Sequence, residues 1–468
     1  MRKWFIYCTF AGAMIKSKKN RVVMFTRKAI DDLRQWAAAS HRKPLVLRGA
    51  RQVGKSTLVK EFGQEFDVYI PLNLERKEHR HLFDYDIDDT VRQIFLLARQ
   101  PMDKTKRTLL FIDEIQNSPA AVALLRYFYE DYSWIYVIAA GSLLLTLTNQ
   151  HISFPVGRVQ YMRLNPCSFS DFLNATGNEL LQHEVENLTI NASLHDMTMR
   201  LFSEFALVGG MPEPVARYAE NHDIVALRDV YESLLRSYSE DVEKYAKTET
   251  MKNVIRLLLK SGWTYSTEQI TLGNFAESNY KAREIGEALR TLERTYILEL
   301  TYPITSTTLP IVQETRRKPK LFWHDMGLIN YAANIQQEVM FSDNIMDTWR
   351  GKLAEQIVAQ ELLSGHTLAD AHRDFWVRGT AGSSAELDFV YVYQGMVIPI
   401  EVKAGHNAHL KSLQQFMEQA PHSTAIRVWA QPLQVDQVQT PSGKHFQLIS
   451  VPFYYVHLLD KLLERMSQ

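Results

Sequence analysis

Short apolar runs alternate with helical spacings over the first third of the chain. KPLVL at residues 43–47 is an apolar run between turn formers, the pattern of a strand buried on both faces. STLVKEF from Ser56 continues at helical period, and two more strand-like runs come after it, RTLLFIDEIQ at 107–116 and WIYVIAAGS at 134–142. Strands alternating with helices predict an α/β core with a parallel sheet. From about 178 to 246 the period is helical, interrupted at GGMPEPV, where Gly209, Gly210, Pro212 and Pro214 force a turn. Residues 247–345 carry three helical stretches, TETMKNVIRLLLKSGW, TEQITLGNFAES and NYKAREIGEALRTLERTYIL, then two strand-like runs, ILELTYPI and KPKLFWHDMGL. The last segment, 346–468, opens on the amphipathic helix MDTWRGKLAEQIVAQELLS and continues with DFWVRG, AELDFVYVYQG and MVIPIEVKAG, each strand-like.

The pattern divides the chain into 24–177, 178–246, 247–345 and 346–468, preceded by a leader at 1–23. A length of 468 residues suits several domains, and 46% hydrophobic residues supply more than one core. Lys plus Arg and Asp plus Glu both number 53, so bulk charge selects no partner and any nucleic-acid surface must be local. The two cysteines, Cys8 and Cys167, form neither a disulfide framework nor a paired metal spacing, which fits a reducing cytoplasm. The leader has a basic start and an apolar stretch from Trp4 to Ile15, too short to span a bilayer as a helix. It reads as a frayed tail or as an upstream start ahead of MFTRKAIDDLRQW, which begins at Met24. No run reaches membrane-spanning length, and IYVIAAGSLLLTL at 135–147 is read as a buried strand together with the start of its connection.

Chemistry enters directly after the first strand. Gly49-Ala50-Arg51-Gln52-Val53-Gly54-Lys55-Ser56 matches G-x-x-x-x-G-K-[ST] in full, and Thr57 continues into the helix. Gly49 and Gly54 allow the tight turn that points backbone amides and a helix N-terminus at phosphate oxygens. Lys55 is expected to reach the terminal phosphates of ATP and Ser56 to ligate Mg2+. At the end of the second strand stand two adjacent carboxylates. Asp113 is placed to hold the same metal and Glu114 to orient or activate the attacking water. Ser142, at the end of the third strand, is the candidate sensor of the terminal phosphate. Arg158, after a Pro-Val-Gly turn, reads either as a charge-stabilising finger or as an ordinary surface arginine. ERKEHRHLFDYDIDD at 75–89 is rich in His and Asp but lacks a metal spacing, and reads as a solvated helix or loop.

RGARQVGKST, FIDEIQ, AAGSLLL, VGRVQYMRLNPCSFSDFL and VGGMPEPV together resemble the AAA+-type prokaryotic ATPases that carry a C-terminal domain of uncharacterised role. The resemblance covers nearly everything from Met24 onward. It implies a P-loop fold with the sensor strand between the two phosphate-binding strands, and carries the roles above to Lys55, Ser56, Asp113, Glu114, Ser142 and Arg158. NPCSF departs from the pattern in having Cys167 where leucine is expected. A homo-oligomeric ring, a hexamer for example, is the family-level expectation, since an arginine finger acting in trans needs a neighbour.

Three helices and a hairpin at 247–345 outline a winged helix, and the resemblance points the same way. Such a module could lay its Lys281-to-Arg294 helix in a DNA major groove. Lys281, Arg283, Arg290 and Arg294 are diluted by Glu284, Glu287 and Glu293, so packing or protein contact is the equal alternative. RRKPK at 316–320 is a basic loop that could touch phosphates or simply be solvated. In the last segment Glu401 and Lys403 share one strand face, Asp388 lies in an apolar strand, and Glu355 turns inward if Leu353, Ile357 and Leu362 mark the buried side of its helix. Helix–strand–strand with E…D…E-x-K is the layout of restriction-endonuclease-like, PD-(D/E)xK domains. There Glu355, Asp388 and Glu401 would bind a divalent metal and Lys403 would place a positive charge near the attacking water. The bland alternative is a polar face with a same-strand ion pair.

These readings imply a cytoplasmic Mg2+-dependent ATPase with a helical lid, a winged helix and a nuclease-like α/β domain, whose ATP cycle controls DNA binding or cleavage. The rival is a nucleotide-switch assembly or signalling protein whose C-terminal domain is a non-catalytic interaction module.

Overall fold

A computed structural model describes residues 25–141, 154–246, 248–334, 351–379, 385–403 and 410–467, with only the backbone at 242–245. The leader at 1–23 and Ser142 lie outside the described residues. The apolar runs of the first third form five strands: β1 (Leu45–Arg48), β2 (Val68–Asn73), β3 (Thr108–Asp113), β4 (Ile135–Ala140) and β5 (Gln160–Arg163). All pair in parallel, in the order β2-β3-β4-β1-β5. The continuous apolar character of β1 has a direct cause. Val46 enters one buried cluster while Leu45 and Leu47 enter another, so both faces of the strand are covered. As the resemblance implied, β4 lies between β3 and β1.

Beyond this sheet come the long helices Ala192–Val208, Pro212–Asn221 and Arg228–Tyr245. The next segment has helices Glu249–Ser261 and Ala282–Glu293, then an antiparallel pair, β6 (Leu298–Thr301) with β8 (Lys320–Trp323). TEQITLGNFAES is not the helix its composition predicted. It holds only a three-residue turn, Phe275–Glu277, because Thr267, Asn274, Ala276 and Glu277 all have positive φ. Its first part instead runs beside β8: the Thr267 amide donates to Leu321 O at 2.7 Å and the Ile270 amide to Pro319 O at 2.9 Å.

The C-terminal sheet has seven strands. They are β7 (Pro303–Ile304), β9 (Asp374–Val377), β10 (Glu386–Tyr393), β11 (Met396–Lys403), β12 (Thr424–Trp429), β13 (Gln434–Gln439) and β14 (His445–Pro452), ordered β13-β14-β12-β11-β10-β9-β7. β7 belongs to the preceding segment by sequence yet pairs in parallel with β9, so the two segments share a sheet. One apolar cluster runs from Phe169 and Phe172 through the helical segment to Trp323, Ile357 and Ile400. A polar seam joins the same parts. The Ser170 hydroxyl lies 2.8 Å from His457 Nε2, and His457 Nδ1 lies 3.1 Å from Glu361. Ser170 and Glu361 are fully buried, so this Ser-His-Glu row joins the two parts from inside the fold. Among the described residues no helix is long and apolar enough to cross a membrane.

Candidate functional site

β1 delivers the chain into the phosphate loop at Gly49, whose φ of +144° and approach to Leu164 O leave no room for a Cβ. Gly54, at φ +94°, turns the chain into the helix Lys55–Phe62. The Lys55 ammonium is buried and donates to Gly49 O at 2.9 Å and Ala50 O at 2.8 Å. Burial lowers its pKa to about 8, with Glu114 and Asp113 pulling the other way. At the end of β3, Asp113 accepts from the Ser56 hydroxyl at 2.7 Å through Oδ2 and from the Glu114 amide at 3.0 Å through Oδ1. Glu114 has a left-handed backbone, φ +53°, accepts from the Gln116 side chain, and has its pKa raised by burial.

These groups open on a cavity of about 660 Å³. Arg51, Gln52, Gly54, Lys55, Ser56 and Thr57 line it on the loop side, with Asp113 and Glu114 beside them. Val53 is fully buried beneath the loop, and its carbonyl accepts from Arg27 at 3.1 Å. The hard oxygen donors of Ser56 and Asp113, already within hydrogen-bond reach, suit Mg2+.

Part of the lining was missed from sequence. GGMPEPV is more than a turn: Pro212 starts a helix at whose end lies Asn221, and Pro212, Glu213, Ala216, Arg217 and Glu220 line the cavity. Proline at the first helical position was the readable signal. Phe25 lines the cavity too, and Arg27 braces the loop through Val53 O, Asn165 O and an ion pair with Asp171 at 3.4 Å. Arg51 pairs with Asp241 on the helix Arg228–Tyr245, and Tyr238 on that helix donates to Arg51 O at 3.3 Å. Arg158 is not on this cavity. Its Nε donates to Glu130 at 2.7 Å on the surface of its own chain.

The second set of predicted residues converges as well, but differently. Glu355 on the helix Lys352–Ser364 and Glu386 on β10 both meet the Lys320 ammonium, at 2.6 and 2.7 Å. Asp388 accepts from the Val402 amide at 2.7 Å, next to a register shift between β10 and β9. Glu401 pairs with Lys403 at 2.6 Å, the same-strand ion pair of the bland alternative. Burial raises the pKa of Glu355 to about 8 and of Glu401 to about 7, and also raises that of Asp388. The metal expected on Glu355, Asp388 and Glu401 meets a competing cation in this arrangement. Among the described residues no three His, Cys, Asp or Glu side chains are disposed to hold an ion; an ammonium from another segment sits on Glu355 and Glu386, while Asp388 and Glu401 are engaged within their own hairpin. Lys320 itself is corrected too: the basic run continues as exposed Arg316, Arg317 and Lys318, but Lys320 is 2% exposed.

A parallel sheet with its sensor strand between the two phosphate-binding strands, a glycine-turned loop with Lys55 and Ser56, and Asp113 facing the same cavity define a P-loop nucleoside-triphosphatase domain. Residues 41–173 match the family model described as an AAA domain, so this part of the chain is an AAA-type ATPase domain. Residues 199–339 match a domain of unknown function, DUF8612, and residues 350–454 another, DUF4143. No curated protein matches the chain significantly. Among solved structures it is similar to a Walker-type ATPase of Pyrococcus abyssi, at 14% identity and a TM-score of 0.44, over 68% of this chain and 99% of that one. It is also similar to the ORC1 protein of Aeropyrum pernix, solved in complex with DNA, at 12% identity and a TM-score of 0.29, over 69% and 96% of the two chains.

Proposed function

We propose that the protein is a Mg2+-dependent ATPase whose nucleotide cycle acts on the C-terminal domain. The observation that carries this reading is the Ser56–Asp113 contact of 2.7 Å beside Lys55 on one cavity. Mg2+ held by Ser56 and Asp113 would neutralise charge on the terminal phosphates. Glu114 accepts a proton from water as the water oxygen bonds to the γ-phosphorus; the γ-phosphorus bond to the β–γ bridging oxygen breaks, and ADP leaves with that oxygen. Lys55 steadies the charge that develops, and Arg217, on the helix that Pro212 starts, adds a positive group to the same cavity. Arg158, turned onto Glu130 and away from its own cavity, suits a finger for a neighbouring copy in a cytoplasmic homo-oligomer. Gel filtration with a slowly hydrolysed ATP analogue checks that role, since a persistent monomer leaves Arg158 without a target. For the nucleotide site, calorimetry with ATP and Mg2+ is expected to give one binding event that Lys55→Ala loses; no heat from the folded wild type refutes the reading.

For the C-terminal domain, Lys320 on the carboxylates favours the second reading, a non-cleaving module that binds or assembles. Exposed Lys281, Arg283, Arg290 and Arg294 on and beside the helix Ala282–Glu293 make DNA the ligand class that the winged-helix reading favours. Incubation with DNA, Mn2+ and ATP is expected to leave the DNA intact. Cleavage that Asp388→Ala abolishes would restore the nuclease reading.

A further inference from the structure

Four carboxylates and two ammonium groups meet at the C-terminal site, and they come from three places in the chain. Glu386, Asp388, Glu401 and Lys403 stand on the β10–β11 hairpin, Glu355 on the helix Lys352–Ser364, and Lys320 on β8. β8 pairs with β6 in the preceding segment, which matches a different family model from the one that covers the hairpin. Lys320 is therefore a foreign group in this cluster. It is 2% exposed, bridges Glu355 and Glu386, and lies 4.9 Å from the Phe375 ring centre. Gln269, bridged to Lys320 along the backbone, donates to the other oxygen of Glu386. The preceding segment thus claims both oxygens of that carboxylate.

The remaining acids are also engaged from within the hairpin, Asp388 by the Val402 amide and Glu401 by Lys403. A divalent cation needs several carboxylate oxygens converging on one point. Here a nitrogen that supplies three donors and one positive charge holds Glu355 and Glu386, while Glu401 Oε2 is buried without a hydrogen-bond partner.

We propose that Lys320 is the built-in cation of this cluster, standing in for a divalent metal and clasping the β6–β8 pair to the C-terminal domain. The inference rests on the proposed second reading of this domain, in which Glu355, Asp388 and Glu401 can close on a metal only once Lys320 is gone. Its consequence is that a metal enters only if β8 withdraws.

The test uses the full chain with Asp113→Asn, which removes a ligand from the nucleotide site, titrated with Mn2+ without nucleotide and followed by the electron paramagnetic resonance of free Mn2+. That parent is expected to bind no Mn2+ at the cluster. Adding Lys320→Met should create one site per chain, at least about tenfold tighter than any binding by the parent, and Asp388→Asn should remove it again. Mn2+ should also raise the melting temperature of the Lys320→Met protein and leave that of the parent unchanged. Mn2+ binding by the parent that Asp388→Asn abolishes would keep the metal reading and overturn the stand-in. No gained site in Lys320→Met would overturn both. If Lys320→Met does not fold, Glu386→Gln loosens the ammonium while keeping it, and should give a weaker gain of the same kind; no gain there is equally fatal.

Discussion

Two lysine–carboxylate sites stand in this chain, and they are built in opposite senses. At the nucleotide site the ammonium of Lys55 rests on backbone carbonyls, while Asp113 and Glu114 are left beside a cavity of about 660 Å³. At the C-terminal site the ammonium of Lys320 rests on the carboxylates themselves. The first arrangement leaves charge for a ligand to complete; the second holds Glu355, Glu386 and Glu401 on lysines of the same chain. Similar residue types therefore support different conclusions, because what matters is which groups already hold the lysine.

Breaking the open site should change rate most. Glu114→Gln is expected to bind ATP as the wild type does and to turn it over about 10²–10⁴-fold more slowly, as loss of a general base does. Unchanged turnover in a steady-state phosphate-release assay would remove Glu114 from the mechanism. Breaking the closed site should change stability. Lys320→Met removes the shared partner of Glu355 and Glu386 from a buried site and should cost about 3–5 kcal/mol in urea unfolding. Lys403→Met removes a half-exposed partner of Glu401 and should cost no more than about 1 kcal/mol. Equal losses would erase the distinction drawn between the two lysines.

The smallest effect sharpens the comparison through pH. Glu355 and Glu401 have folded pKa values of about 8 and about 7, against an ordinary 4.5, because burial disfavours their charged forms. The folded protein thus holds protons that the unfolded chain releases. The stability these groups contribute is full below the ordinary value and is lost as pH rises through about 7 and about 8. Unfolding midpoints measured at about pH 5 and about pH 9 should differ less for Glu355→Gln than for the wild type. An identical difference would mean that Glu355 is ionised throughout.

The open site was legible because its parts are local. Gly49, Gly54, Lys55 and Ser56 sit within one turn, and their spacing encodes a backbone shape that glycine alone permits at φ +144° and +94°. Asp113 and Glu114 were legible from their place at the end of an apolar strand. Arg217 and Phe25 were not, since they reach the cavity only through tertiary packing of segments with no phosphate motif. Strand alternation and the inward face of one helix put the C-terminal acids together, but Lys320 stood in a basic loop that reads as touching phosphates or as solvated. Nothing in RRKPK distinguishes Lys320 from Lys318. The difference arises because Leu321, Phe322 and Trp323 pull β8 into the core and carry Lys320 in with them. The missing helix at TEQITLGNFAES has a similar cause: pairing beside β8 satisfied its backbone better than a helix interrupted by Gly273.

Counting bound Mn2+ on the wild-type chain at saturating ATP analogue tests the contrast most directly. One ion per chain is predicted, lost when Asp113 becomes Asn and retained when Asp388 does. Two ions per chain, one of them dependent on Asp388, would contradict it.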